Sequence, residues 1–97
     1  MTTNELLIQA GLAAVSYYNA TLGVRDALSD LYQAEERWCI GRDCGMEYRM
    51  RLPGDEYAEM RRDCAAYHDA VRKAKRAQYN AKRRLETASR RVSHLVF

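Results

Sequence analysis

Proline and glycine are scarce in this sequence, with one proline and five glycines among 97 residues. Both residues interrupt regular elements, so their scarcity predicts long elements and few turns. Fourteen alanines and few β-branched residues favour helix over strand. A chain of this length is expected to make one domain at most. We therefore expect a single all-α domain spanning residues 1–97.

A long apolar run and the charged start of a secretion signal are also missing. Residues 10–24 form the longest apolar stretch, but polar residues interrupt it, and a membrane span needs about 20 apolar residues. Only Glu5, with no Lys or Arg, precedes this stretch. The three cysteines are then expected to be reduced thiols. These features predict a cytoplasmic protein that does not associate with a membrane.

A repeat of seven residues runs through both halves of the chain. In the first half, one core heptad position holds Thr3, Ala10, Tyr17, Val24, Leu31 and Trp38. The other core position holds Leu6, Ala13, Ala20, Ala27 and Ala34. In the second half, they hold Tyr57, Cys64, Val71, Gln78, Leu85 and Val92, and Met60, Tyr67, Ala74, Ala81, Ala88 and Leu95. Such heptads predict helices that pack along one seam, and the many alanines predict a close approach of the helix axes.

The turn signals divide the chain into a helix at about 4–39, a loop at about 40–54 and a helix at about 55–95. A break within Asn19–Gly23 is the alternative to one continuous first helix. Folding at the loop predicts a long antiparallel two-helix hairpin with Leu31 level with Cys64. Gln78, the polar exception in the seam, then falls level with Tyr17, whose hydroxyl is its expected partner.

The first helix has a second apolar face that the hairpin seam does not cover. Its large members are Leu7, Ile8, Leu12, Val15, Tyr18 and Leu22. A helix that is apolar all round is expected to be buried all round. The simplest cover is a second copy, which would complete a four-helix bundle and make the chain a homo-oligomer. The alternative is a binding face for an unidentified protein.

The second helix is strongly basic. Residues 1–60 carry five Lys/Arg and ten Asp/Glu, whereas residues 61–97 carry eleven Lys/Arg and three Asp/Glu. The basic stripe consists of Arg72, Lys73, Arg76, Tyr79, Arg83, Arg84, Arg90 and Arg91. This stripe is a candidate surface for nucleic acid or a nucleotide, for an acidic protein, or only for solvent.

No catalytic motif was found, so we expect no enzyme activity and no cofactor. Cys39, Cys44, Cys64 and His68 together offer three thiols and one imidazole, which would suit structural zinc. The predicted register, however, places Cys39 roughly 12 Å along the hairpin from Cys64. We therefore predict no metal site, with Cys64 as a small core residue and with Cys39 and Cys44 either reduced or joined in a disulfide.

The segment Trp38-Cys39-Ile40-Gly41 before the loop is W-x-x-G and lacks the W-x-G of the WXG100 secreted hairpins. In size and class the chain is similar to the small helical inhibitors that phages encode against host defences, including anti-CRISPR proteins. The first hypothesis is an adaptor or inhibitor that works through protein–protein contacts of the loop and the apolar face of the first helix. Nucleic-acid or nucleotide binding through the basic stripe is the second hypothesis.

Overall fold

A computed structural model describes residues 1–41 and 54–96, which form three α-helices and no strand. Helix α1 spans Thr3–Gly41, α2 spans Gly54–Asp63 and α3 spans Ala65–Val96. The predicted helical hairpin is confirmed, with α1 as one arm and α2 followed by α3 as the other. Helix α1 is continuous through Asn19–Gly23, where the sequence allowed a break. Most of the predicted loop lies at 42–53, outside the described residues.

A capping box begins α1. The Glu5 amide donates to Thr2 Oγ1 at 3.1 Å, and the Thr2 amide donates to Glu5 Oε2 at 3.4 Å. Two amides that the helix leaves without an internal acceptor are thereby satisfied. Of the polar residues Thr2, Thr3 and Asn4 at this end of the chain, Thr2 is therefore the one that caps α1.

The second arm is divided at Cys64, so the prediction of one unbroken helix over 55–95 was wrong in this detail. The Cys64 amide donates to the Met60 carbonyl at 2.9 Å, as in a regular helix. The Cys64 carbonyl accepts from both Tyr67 at 3.0 Å and His68 at 3.2 Å. The extra bond to Tyr67 tightens this turn to the 3₁₀ spacing, which interrupts the α-helix for one residue.

The chain divides into two compact units that both draw on α1 and α3. Unit 1 consists of Met1–Val24 and Ala74–Phe97, and unit 2 consists of Arg25–Lys73. No helix in the described ranges is long and apolar enough to cross a membrane.

Unit 2 contains a core cluster of buried side chains: Leu31, Ala34, Cys39, Met60, Cys64 and Val71. Leu31 and Cys64, which both occupy predicted heptad core positions, are members. Ala27, Leu28 and Trp38 pack against the cluster. The indole Nε1 of Trp38 also donates to Asp63 Oδ2 at 2.8 Å, which ties the last turns of α1 to the end of α2.

The register differs from the prediction by about one helical turn. In unit 1, the side-chain amide of Gln78 donates to Thr21 Oγ1 at 3.2 Å, so Tyr17 is not its side-chain partner. The Thr21 hydroxyl in turn donates to the Tyr17 carbonyl at 3.0 Å. Thr21, and not Tyr17, therefore lies opposite Gln78.

The alanine seam of unit 1 leaves it with little fully buried surface. Ala81 is its only fully buried apolar residue among those described. The seam positions around it are half-buried: Leu6, Ala10, Ala13, Tyr17, Ala20, Ala74, Gln78, Leu85 and Ala88. Because an alanine side chain buries little apolar area, burial stabilises unit 1 by less free energy than it does unit 2.

The thiol of Cys64 is expected to make stability depend on alkaline pH. Burial raises the pKa of Cys64 above its ordinary value of 9.0, and the carboxylates of Glu35 and Asp63 raise it further, against an opposing effect of Arg37. The folded state holds this proton more tightly than the unfolded state. Its stabilising contribution is therefore complete below pH 9.0 and is lost as pH rises from that value through the higher pKa of the folded state.

We expect the free energy of unfolding to fall more steeply above about pH 9 in the wild type than in Cys64→Ala. Denaturant midpoints at each pH measure this slope. Subtracting the variant removes the tyrosine titrations that both proteins share. Parallel slopes would contradict the prediction.

Candidate binding surface

The apolar face of α1 lies exposed in unit 1. Five of its large side chains are 47–66% exposed: Leu7, Ile8, Leu12, Val15 and Tyr18. Leu22, the sixth predicted member, is half-buried. These residues lie at heptad positions away from the seam, so packing against α3 cannot cover them.

The basic stripe follows the exposed side of α3, and all eight predicted members are exposed. Arg72 and Lys73 belong to unit 2, and the other six belong to unit 1. Arg72 forms an ion pair with Asp69 in the preceding turn. That carboxylate partly neutralises the unit 2 end of the stripe.

Tyr79 orients Arg83 within the stripe. The Arg83 guanidinium donates to the Tyr79 hydroxyl at 3.2 Å and lies 5.8 Å from the centre of its ring. This hydrogen bond raises the pKa of Arg83 above its ordinary value, and the carboxylate of Glu86 adds to the effect. Arginine is a cation at any physiological pH, and here Tyr79 holds it in position.

Charge is unevenly divided between the two units. The two segments of unit 1 carry seven Lys/Arg and two Asp/Glu, whereas Arg25–Lys73 carry nine Lys/Arg and eleven Asp/Glu. Unit 1 thus has a net charge of +5 and unit 2 of −2. The apolar face and most of the basic stripe therefore share one strongly cationic unit.

A groove of about 530 Å³ lies between α1 and α3 within unit 1. Its lining consists of Gln9, Leu12, Ala13, Ser16, Arg83, Arg84, Thr87, Ala88 and Arg91. Leu12 comes from the predicted apolar face, and the three arginines come from the predicted stripe. The structure therefore brings together parts of two sites that the sequence analysis treated separately.

A second hollow, of about 460 Å³, lies nearer the ends of the chain. It is lined by Met1, Leu6, Arg91, His94 and Leu95. Arg91 lines both this hollow and the groove, so its cation lies where these two largely apolar surfaces meet. A smaller polar hollow of about 200 Å³ runs along α3 beside Tyr79 and Arg90.

The groove was missed by the sequence analysis, although part of its signal was present. Ala13 and Ala88 were recognised as seam positions, where small side chains leave space between helices. Arg84 and Arg91 are seven residues apart, so they lie on one side of α3. The missing information was which residues of α1 lie opposite them, and this depends on the register.

The candidate zinc ligands are only partly described. Cys39 is fully buried in the last turns of α1, and it shares the unit 2 cluster with Cys64. His68 Nε2 is buried without a hydrogen-bond partner. Cys44 lies outside the described residues, and the residues that are described hold no group of three or more metal-ligand side chains.

Cys39 and Cys64 form no disulfide among the described residues. The proposed alternative of a disulfide between Cys39 and Cys44 stays untested, since Cys44 is outside the described ranges. Cys64 occupies the core position that the heptads predicted.

No protein-family model, no curated protein and no solved structure matches the chain.

Proposed function

We propose that this chain is a non-enzymatic binding protein that acts through protein–protein contacts, as an adaptor or an inhibitor. The observation that carries the proposal is the row of large apolar side chains on the first half of α1, each about half exposed or more. An apolar patch of this kind marks an interaction surface more often than an active site. An inhibitor of the kind that phages direct at host defences is one form of this function.

The simplest occupant of the apolar face is a second copy of the chain. Packing α1 on α1 would bury Ile8, Val15 and Leu22 in a four-helix bundle. Residues 1–24 contain a single charged side chain, that of Glu5, so this contact brings no row of like charges together. A foreign protein on the same face is the alternative occupant.

The cytoplasm is the proposed place of action. Cys39 and Cys64 both serve as small apolar core side chains, a role that suits reduced thiols in a reducing compartment. We propose no membrane association and no cofactor.

A pull-down from the native host tests the protein-binding function. Wild-type chain should retain a specific protein that Val15→Glu loses, because a carboxylate on the apolar face would have to be desolvated in any contact. Ala66→Glu is the matched control, since it adds the same charge at an exposed position of α3 in unit 2. Capture that is equal in wild type and both variants would contradict a role for the face.

Phosphate binding through the basic stripe is the second candidate function, favoured by the net charge of +5 on unit 1. If the stripe binds nucleic acid, affinity for an oligonucleotide must fall steeply as salt rises, because bound phosphates release counterions. An affinity that is flat with salt would exclude phosphate contacts as its main source.

A further inference from the structure

We infer that the groove between the start of α1 and the end of α3 binds an acidic amphipathic helix of a protein partner. The inference rests on the proposed protein-binding function and adds the chemistry of the partner. The groove lies wholly within unit 1 and combines an apolar base with cations along one side.

The apolar part of the groove is suited to the ridge of a helix. Ala13 and Ala88 lie at its base, and Leu12 is 66% exposed beside them. Alanines on two neighbouring helices leave a depression that larger side chains of a third helix can enter. Covering Leu12 removes apolar surface from water, which favours a partner with leucine-like side chains on one face.

The charged side of the groove specifies an acidic partner. Arg84 and Arg91 line it seven residues apart, which is about 10 Å along α3. Neither guanidinium forms a hydrogen bond or an ion pair with the residues that the structure describes. Carboxylates spaced by two helical turns on a partner helix would meet both, and arginine binds carboxylates in a bidentate manner.

A second copy of the chain does not supply this chemistry. The first half of α1 has only Glu5 as an acidic side chain, and unit 1 of a second copy also carries +5. Two such units would bring like charges together at the groove. Self-association through Ile8, Val15 and Leu22, on the neighbouring side of α1, leaves the arginines of the groove available to a foreign helix.

Nucleic acid fits the groove less well than an acidic helix does. Phosphates are attracted by the cations but gain nothing from the apolar bottom of the groove. A nucleic acid backbone bound there would leave Leu12 uncovered. The exposed arginines away from the groove, such as Arg76 and Arg90, are better placed for phosphates.

The test measures binding of a blocked, fluorescent helical peptide of about 18 residues to the full chain by anisotropy. The peptide carries a leucine face and two glutamates seven residues apart, and a matched peptide carries glutamine at both positions. The groove variant is Arg84→Gln with Arg91→Gln. The control variant, Arg76→Gln with Arg90→Gln, removes the same charge from exposed positions of the same unit.

We expect the groove variant to weaken binding of the acidic peptide at least about tenfold, whereas the control variant changes it by less than about threefold. The glutamine peptide should bind wild type at least about tenfold more weakly than the acidic peptide does. Equal affinity for the two peptides, or equal losses in the two variants, would overturn the inference. The peptide comparison does not depend on any variant folding.

A single-stranded oligothymidylate of about 20 nucleotides tests the phosphate alternative with the same proteins. The inference fails if the oligothymidylate binds more tightly than the acidic peptide and both variants weaken its binding equally. The arginines would then be a phosphate-binding surface. If the acidic peptide fails to bind while a host protein is still captured in a Val15-dependent manner, the groove inference falls and the proposed function stands.

Discussion

Met60→Ala is expected to lower the free energy of unfolding by about 2–5 kcal/mol, the range found when a buried methionine or leucine is truncated. Met60 is 0% exposed at the centre of the unit 2 cluster, where α2 meets the end of α1. The loss combines the transfer free energy of the removed atoms with the cavity left behind. For a chain of this size, such a loss lowers Tm by roughly 10 °C or more.

The measurement is denaturant unfolding followed by the fluorescence of Trp38, the single tryptophan, which packs against the same cluster. Ile40→Ala is the matched control. It also truncates a large apolar side chain in the last turns of α1, but Ile40 is 67% exposed. We expect the control to change the free energy of unfolding by no more than about 0.5 kcal/mol. Equal midpoints for Met60→Ala and wild type would show that the cluster does not stabilise unit 2.

Val15→Glu is expected to convert a self-associated chain into a monomer. Val15 lies on the apolar face of α1 and is 58% exposed in the single chain. If α1 packs on α1, the new carboxylate is buried against apolar side chains without a partner. A cost of about 3 kcal/mol weakens association by roughly 100-fold.

Light scattering after size exclusion measures the mass directly. Wild type should give at least twice the 11.2 kDa of one chain, and Val15→Glu should approach the single-chain mass. Ala66→Glu should behave as wild type does, because the added charge lies on α3 in unit 2. A wild-type chain that is monomeric at micromolar concentration would refute self-association and leave the foreign partner as the occupant of the face.

Much of the fold could be predicted because helix formation and seam composition are local. The spacing of Leu31 and Ala34 on α1, and of Cys64 and Val71 on the second arm, already indicated the residues that form the unit 2 core. The same periodicity separated the seam from the exposed apolar face. These properties follow from 3.6 residues per turn and from the scarcity of proline and glycine, and they need no knowledge of the other arm.

The register could not be predicted from the same pattern. Alanines recur every seven residues on both arms, so shifting one arm by a turn exchanges similar small side chains at many positions and changes the packing energy little. Polar contacts distinguish the alternatives better. Gln78 meets Thr21 instead of Tyr17, and Trp38 meets Asp63, whose carboxylate lies next to the break at Cys64.

By itself, the sequence determined that this protein is helical, which faces of α1 are apolar and which helix is basic, since each is a property of one segment. Only the tertiary structure decided that Cys39 joins Cys64 in one cluster and that the second arm breaks at Cys64. It also decided that Leu12 lies in one groove with Arg84 and Arg91. The physical reason is that these features depend on the packing and register of the two arms, and an alanine seam specifies that register only weakly.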